Sequence, residues 1–139
     1  MHEKKRTTII LLIVLTLAVC GIIAVIRPIL HFPFEKITIH YKTDNGIAST
    51  QLEGKEAATI WWMLNGKRLN WNLHLQGGSA CGFGPERAIT IGYTTYYVSK
   101  DDCAVIQKKD SKFFYRLNKE EWERLWEIFE AHGASYYCY

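Results

Sequence analysis

Residues Ile9 to Ile26 form an eighteen-residue run, almost wholly apolar, without one charged side chain. Thr7 and Thr8 extend the uncharged stretch to twenty residues. Lys4-Lys5-Arg6 precedes it and Arg27-Pro28 closes it. A hydrocarbon core of about 30 Å is crossed by about 20 apolar residues in a helix. The sequence therefore predicts a membrane-spanning helix over 9–26, a basic segment over 1–8, a short stiff linker over 27–34 with two prolines, and one domain over 35–139. The lipid bilayer is the partner this run implies.

Two other readings of the run are weaker. A cleaved secretory signal has a shorter apolar core, about 7–15 residues, followed by a small-x-small site. The nearby candidate, Ala18-Val19-Cys20, lies inside the run and not after it. Leu17-Ala18-Val19-Cys20-Gly21 looks like a lipidation box, which would leave the chain secreted and lipid-anchored at Cys20. Val19 is not the small residue such a box needs, and the apolar run continues for six residues past Cys20. Length favours an uncleaved span. Basic residues flanking a span stay cytoplasmic, so Lys4, Lys5 and Arg6 predict a cytoplasmic N-terminus and an extracytoplasmic body.

The net charge of +3 lies wholly in the first 34 residues, with four basic residues against Glu3. The remaining 105 residues carry 13 basic and 13 acidic side chains. A nucleic-acid surface needs a basic excess, so that class of partner is excluded. All five tryptophans and all eight tyrosines lie in the body.

The body holds Cys81, Cys103 and Cys138, an odd number, with no C-x-x-C pair. Zinc ribbons and thioredoxin-like sites are disfavoured. In an oxidising compartment one disulfide and one leftover thiol are expected.

Hydrophobic periodicity gives the elements. Ile37–Lys42 alternates as a strand, Asp44-Asn45-Gly46 turns, and Ile47–Gln51 returns. Gly54–Leu64 is helical, with Ala57, Ile60, Trp61 and Leu64 on one face and Asn65-Gly66 as its stop. Leu69–Leu75 alternates and predicts a further strand. Arg87–Gly92 and Thr95–Ser99 form a hairpin around Tyr93-Thr94. Cys103–Gln107 and Lys112–Leu117 form another. Asn118 with Glu121 is a capping-box start for a helix whose stripe is Trp122, Leu125, Trp126 and Phe129 and whose end is Gly133. The aromatic tail Tyr136-Tyr137-Cys138-Tyr139 is expected to dock. The fold class is α+β: one antiparallel sheet of five or six strands with both amphipathic helices on one face.

Extending the first hairpin past its open end brings Cys81 and Cys103 near one another, within adjustment of the 4.4–6.8 Å Cα spacing a disulfide needs. Such a bond would contribute about 3 kcal/mol. Cys81–Cys103 is the favoured pairing and Cys103–Cys138 the alternative.

Each candidate site residue has a plainer reading. His31, His40, His74 and His132 show no ligand spacing. Cys81 with His74 would need spatial proximity and a lowered thiol pKa to act as nucleophile and base; a structural disulfide is simpler. Asp101-Asp102 reads as a turn and not as a calcium loop. Gly77, Gly78, Gly82, Phe83 and Gly84 lie in a glycine-rich stretch without the Lys-Ser/Thr ending of a phosphate loop, a candidate interaction loop. Helical spacing puts Trp61 in the core and leaves Trp62 and Met63 at its edge or on the surface, with Trp62 a candidate exposed aromatic for glycan, peptide or membrane-interface contact.

Cys81-Gly82-Phe83, the hairpin, Asp101-Asp102-Cys103, Phe114-Tyr115 and His132-Gly133 together resemble a group of small exported proteins of Gram-positive bacteria, chiefly Firmicutes. The likeness covers about residues 60–138. It implies a signal or single span followed by one α+β domain, and it transfers no catalytic residue. The chain departs from that group in its tail, where a proline would precede the final cysteine. The expectation is a non-catalytic, membrane-anchored, extracytoplasmic binding domain without cofactor, directed at another membrane, cell-wall or secreted protein. An inhibitor or immunity module acting on an enzyme or toxin is the alternative, and a thiol-dependent enzyme comes third.

Overall fold

The computed structural model describes residues 1–72, 82–100 and 103–135. Helix α1 (His2–Ile26) opens the chain. At 1.5 Å per residue its 25 residues extend about 37 Å. None of its side chains is buried, and Ile9 to Val25 leave their apolar side chains exposed. So large a bare apolar surface calls for an apolar environment. Among the described residues α1 is the one helix long and apolar enough to cross a membrane, a character that signal sequences share.

Strands β1 (Ile37–Thr43), β2 (Gly46–Leu52), β3 (Arg87–Ile91), β4 (Thr94–Val98), β5 (Val105–Lys108) and β6 (Phe114–Arg116) form one sheet in the order β2-β1-β3-β4-β5-β6. Every neighbouring pair is antiparallel. Helices α2 (Gly54–Leu64) and α3 (Lys119–Ala131) complete the α+β fold.

Register puts Ile37 opposite Ile91, Ile39 opposite Ile89, Ile89 opposite Tyr96, Val98 opposite Ile106 and Ile106 opposite Tyr115. Opposed residues share a face. That face forms the main core with Ile60, Met63 and Leu64 of α2 and Leu125, Ile128 and Phe129 of α3. Full burial of such side chains stabilises by about 1.5–3 kcal/mol each. Both helices therefore cover one face, as the pattern predicts.

α3 starts as its sequence dictates. The Asn118 side chain accepts from Glu121 N–H at 2.8 Å, and the Glu121 carboxylate accepts from Asn118 N–H at 3.0 Å. α2 stops at Asn65, with Gly66 at φ +84°.

Three local expectations change. The strand over Leu69–Leu75 does not form in its described part: Leu69 and Asn70 lie outside any strand, and Trp71 and Asn72 are helical. Leu69 N–H donates to Ile26 O and Asn70 N–H to Phe114 O, both at 2.8 Å, so contacts with distant segments override the alternation. The β3–β4 turn falls on Gly92-Tyr93, one residue early, because Gly92 adopts φ +58°. Met63 is buried, whereas Trp61 is only partly so.

The segment between α1 and β1 is packed into the domain. Ile29 is buried in the main core. Its N–H donates to Lys67 O (2.9 Å) and its carbonyl accepts from Gly66 N–H (2.6 Å). Asn65 Oδ1 accepts from His31 N–H (2.9 Å), and the Trp61 indole donates to His31 O (3.1 Å). The last turn of α1 is held too: the Trp71 indole donates to Val25 O (2.7 Å) and the Tyr115 hydroxyl to Arg27 O (3.0 Å), while the Arg27 guanidinium lies 4.9 Å from the Phe113 ring centre.

Candidate functional site

Three places gather chemistry-bearing side chains. The first is a groove between α2 and α3. The helices run antiparallel, tied at one end by Lys67 Nζ to Glu121 Oε1 (2.8 Å) and at the other by His132 Nε2 to Glu56 Oε2 (3.0 Å). Between these ties lies an open depression of about 520 Å³, lined by Lys55, Thr59, Trp62, Asn118 and Arg124 among others. Trp62 stands 76% exposed, one edge against Trp61 with ring centres 5.0 Å apart. Lys55 and Arg124 have no ion-pair partner among the described residues. Trp62, Lys55 and Arg124 line the same depression, and tryptophan and arginine are the residue types that dominate protein-binding hot spots.

The second place is His31, whose ring lies between Glu35 and Tyr96. Nδ1 is 3.2 Å from Glu35 Oε2 and Nε2 is 2.8 Å from the Tyr96 hydroxyl. The other Glu35 oxygen accepts from Phe32 N–H at 2.9 Å. That amide holds the Glu35 carboxyl below its ordinary pKa; partial burial opposes the shift and the His31 ring reinforces it. Burial pushes the Tyr96 phenol up, aided by Tyr115 and Glu35. Gly92 closes the cluster, because a Cβ there would collide with the Glu35 carboxylate. This arrangement pins the segment after α1 to strand β4. His31 and Glu35 stand four residues apart in a turn and not in a helix, so the helical spacing rule does not reveal the pair.

The third place is the helix-free face of the sheet. Ser49 Oγ is 2.7 Å from His40 Nδ1, His40 Nε2 is 2.9 Å from Thr90 Oγ1, and Thr90 Oγ1 is 2.8 Å from Thr95 Oγ1. The ladder crosses β2, β1, β3 and β4. Burial lowers the His40 pKa, which favours a neutral ring sharing one donor and one acceptor with the two hydroxyls.

The remaining expected residues divide by position. Gly82, Phe83 and Gly84 lie against the sheet: Lys100 N–H donates to Gly82 O at 2.9 Å, and Phe83 packs on Phe114 and Val105 in a small second core. Lys100 and Glu86 form an ion pair (3.2 Å) beside Gly84. Gly77, Gly78, His74, Cys81, Asp101, Asp102 and Cys138 lie outside the described residues. Cys20 has a free thiol. Among the described residues no group of three or more His, Cys, Asp or Glu side chains is placed to hold a metal ion. No protein-family model matches the sequence, and neither a curated protein nor a solved structure matches it.

Proposed function

We propose that the chain is a single-pass membrane protein, N-terminus in the cytoplasm, whose extracytoplasmic α+β body is a binding domain and not an enzyme. The observation that carries the reading is the continuity of α1 with the core. Ile26, Ile29 and His31 share backbone or side-chain hydrogen bonds with Leu69, Lys67, Gly66 and Asn65, so the body is held at a fixed attitude to its anchor. A fixed attitude suits a surface presented to a neighbour on the same membrane. The basic Lys4-Lys5-Arg6 cluster before the apolar run supports the orientation. The likeness to exported Firmicutes proteins belongs to the same reading.

The α2–α3 groove is the surface assigned to this role. Its cations and exposed indole fit a protein segment that offers an apolar side chain beside a carboxylate. The test is photo-crosslinking in intact membranes, with p-benzoylphenylalanine replacing Trp62 or, as a control on the other helix-free side, Gln51. The expected result is one discrete protein adduct at position 62 that Arg124→Glu abolishes. Equal, diffuse labelling at both positions contradicts the assignment.

A disulfide at Cys103 belongs to the extracytoplasmic placement. The Lys100–Gly82 hydrogen bond brings the chain after β4, which leads to Cys103, beside the chain before β3. Both expected partners, Cys81 and Cys138, lie outside the described residues. Alkylation with and without reductant should raise the thiol count on reduction; an unchanged count argues for a reducing compartment.

A further inference from the structure

The sheet has two ends, and register decides which side chains share each. Ile37, Leu52, Ile91, Thr94, Lys108 and Phe114 fall at one end. The same end receives α1, because Arg27 packs on Phe113 and its carbonyl accepts from the Tyr115 hydroxyl. The Asp44-Asn45 turn lies at the opposite end.

The α1 end carries apolar groups that the protein leaves bare. Leu30, Phe32 and Phe34 are 66%, 65% and 82% exposed, and Tyr93 at the β3–β4 turn is fully exposed. Phe32 and Phe34 stack on each other at 5.4 Å. Their loop is firmly tied: Glu35 accepts from Phe32 N–H, Glu35 N–H donates to Phe32 O (3.2 Å), and Lys36 O accepts from Gly92 N–H (2.9 Å). Structure is thus invested in holding two phenylalanines outward. Lys36 and Lys109, both exposed, lie at the same end.

We infer that this end of the domain is seated in the headgroup layer of the bilayer, with Leu30, Phe32, Phe34 and Tyr93 dipping into the interface and Lys36 and Lys109 meeting anionic headgroups. The inference rests on the reading of α1 as a span. Continuity supplies the occupant: the patch begins four residues beyond the end of the apolar helix, on the end of the sheet to which that helix is bonded. Aromatic side chains collect at the membrane–water interface, and apolar groups rimmed by lysine are the composition of surface-bound elements on anionic membranes.

The test uses the full chain in vesicles of phosphatidylcholine with phosphatidylglycerol. A nitroxide is carried on p-acetylphenylalanine, which spares the native cysteines, at Ile13, Phe34 or Asp44 in turn. Collision rates with oxygen and with a water-soluble nickel chelate report depth. The expected result is shielding from nickel at 13, several-fold lower nickel access at 34 than at 44, and free access at 44. Equal nickel access at 34 and 44 with 13 shielded overturns the seated collar and leaves the span standing. Free access at 13 overturns the span and the collar together.

Discussion

His31 Nε2 lies 2.8 Å from the hydroxyl of Tyr96, across 65 residues of sequence, and the contact joins the segment leaving α1 to the middle of the sheet. His31 is mostly buried at this point, with a side-chain exposure of 7%. Removing the hydroxyl alone with Tyr96→Phe should lower stability by about 0.5–1.5 kcal/mol. His31→Ala should cost more, since the Tyr96 hydroxyl and one Glu35 oxygen both lose their ring partner, with about 1–3 kcal/mol for each buried group left unsatisfied. Chemical denaturation of the full chain in detergent micelles measures both. Equal, negligible effects would show that the segment is not bonded to β4.

Glu35 gives the same joint a pH dependence. Its folded pKa is depressed below 4.5, chiefly by the Phe32 amide. A depressed carboxylate stabilises the fold above its unfolded pKa and loses that contribution as pH falls through the folded value. Exchange of the Phe32 amide should therefore gain speed, relative to the base rate at each pH, as the solution is acidified below 4.5. In Glu35→Gln the relative rate should stay level over that range.

His40 sets a second, higher window. Burial depresses its pKa from 6.5, so the folded state resists protonation. Stability is highest above 6.5 and declines as pH falls below it, because the unfolded chain takes up the proton first. Thermal unfolding of the full chain between pH 7.5 and 5 should show this decline, and His40→Gln should flatten that part of the curve. A wild-type curve without slope there would contradict a desolvated ring in the Ser49–His40–Thr90 ladder.

Trp62 and Phe129 should separate binding from folding. Phe129 is 1% exposed in the main core, and Phe129→Ala should cost about 3–5 kcal/mol. Trp62 touches the domain through its edge contact with Trp61, so Trp62→Ala should cost about 1 kcal/mol or less. Its cost should fall on the crosslinking partner's affinity. A large loss of stability in Trp62→Ala would make it a packing residue.

Where the sequence was legible, the signals were local. The bounds of α2 and the capping box of α3 come from residues within a turn of each other. The outward face of β1 follows from the two-residue period that places His40 opposite Ile39 and Tyr41. What stayed hidden depends on partners far along the chain. Leu69 and Trp71 bond to Ile26 and Val25 at the end of α1, and the 27–35 segment answers to Tyr96 and Tyr115, so the described residues Leu69–Asn72 do not form the strand that their alternation suggests. Met63 shows the same limit: it is buried beside Ile60 and Leu64, while Trp61 is only partly buried. The groove became visible only when the two helices were set side by side, although Trp62 stood out beforehand as a candidate exposed aromatic.

The central claim is that anchor and domain form one body. A pair of nitroxides on p-acetylphenylalanine at Ile22 in α1 and Asp44 at the far turn, both exposed, tests it in the full chain in lipid nanodiscs by pulsed electron–electron spectroscopy. The account predicts one narrow distance distribution, which Tyr96→Phe broadens. A broad distribution in the unaltered chain would mean that residues 27–35 act as a free tether, and the account would fail.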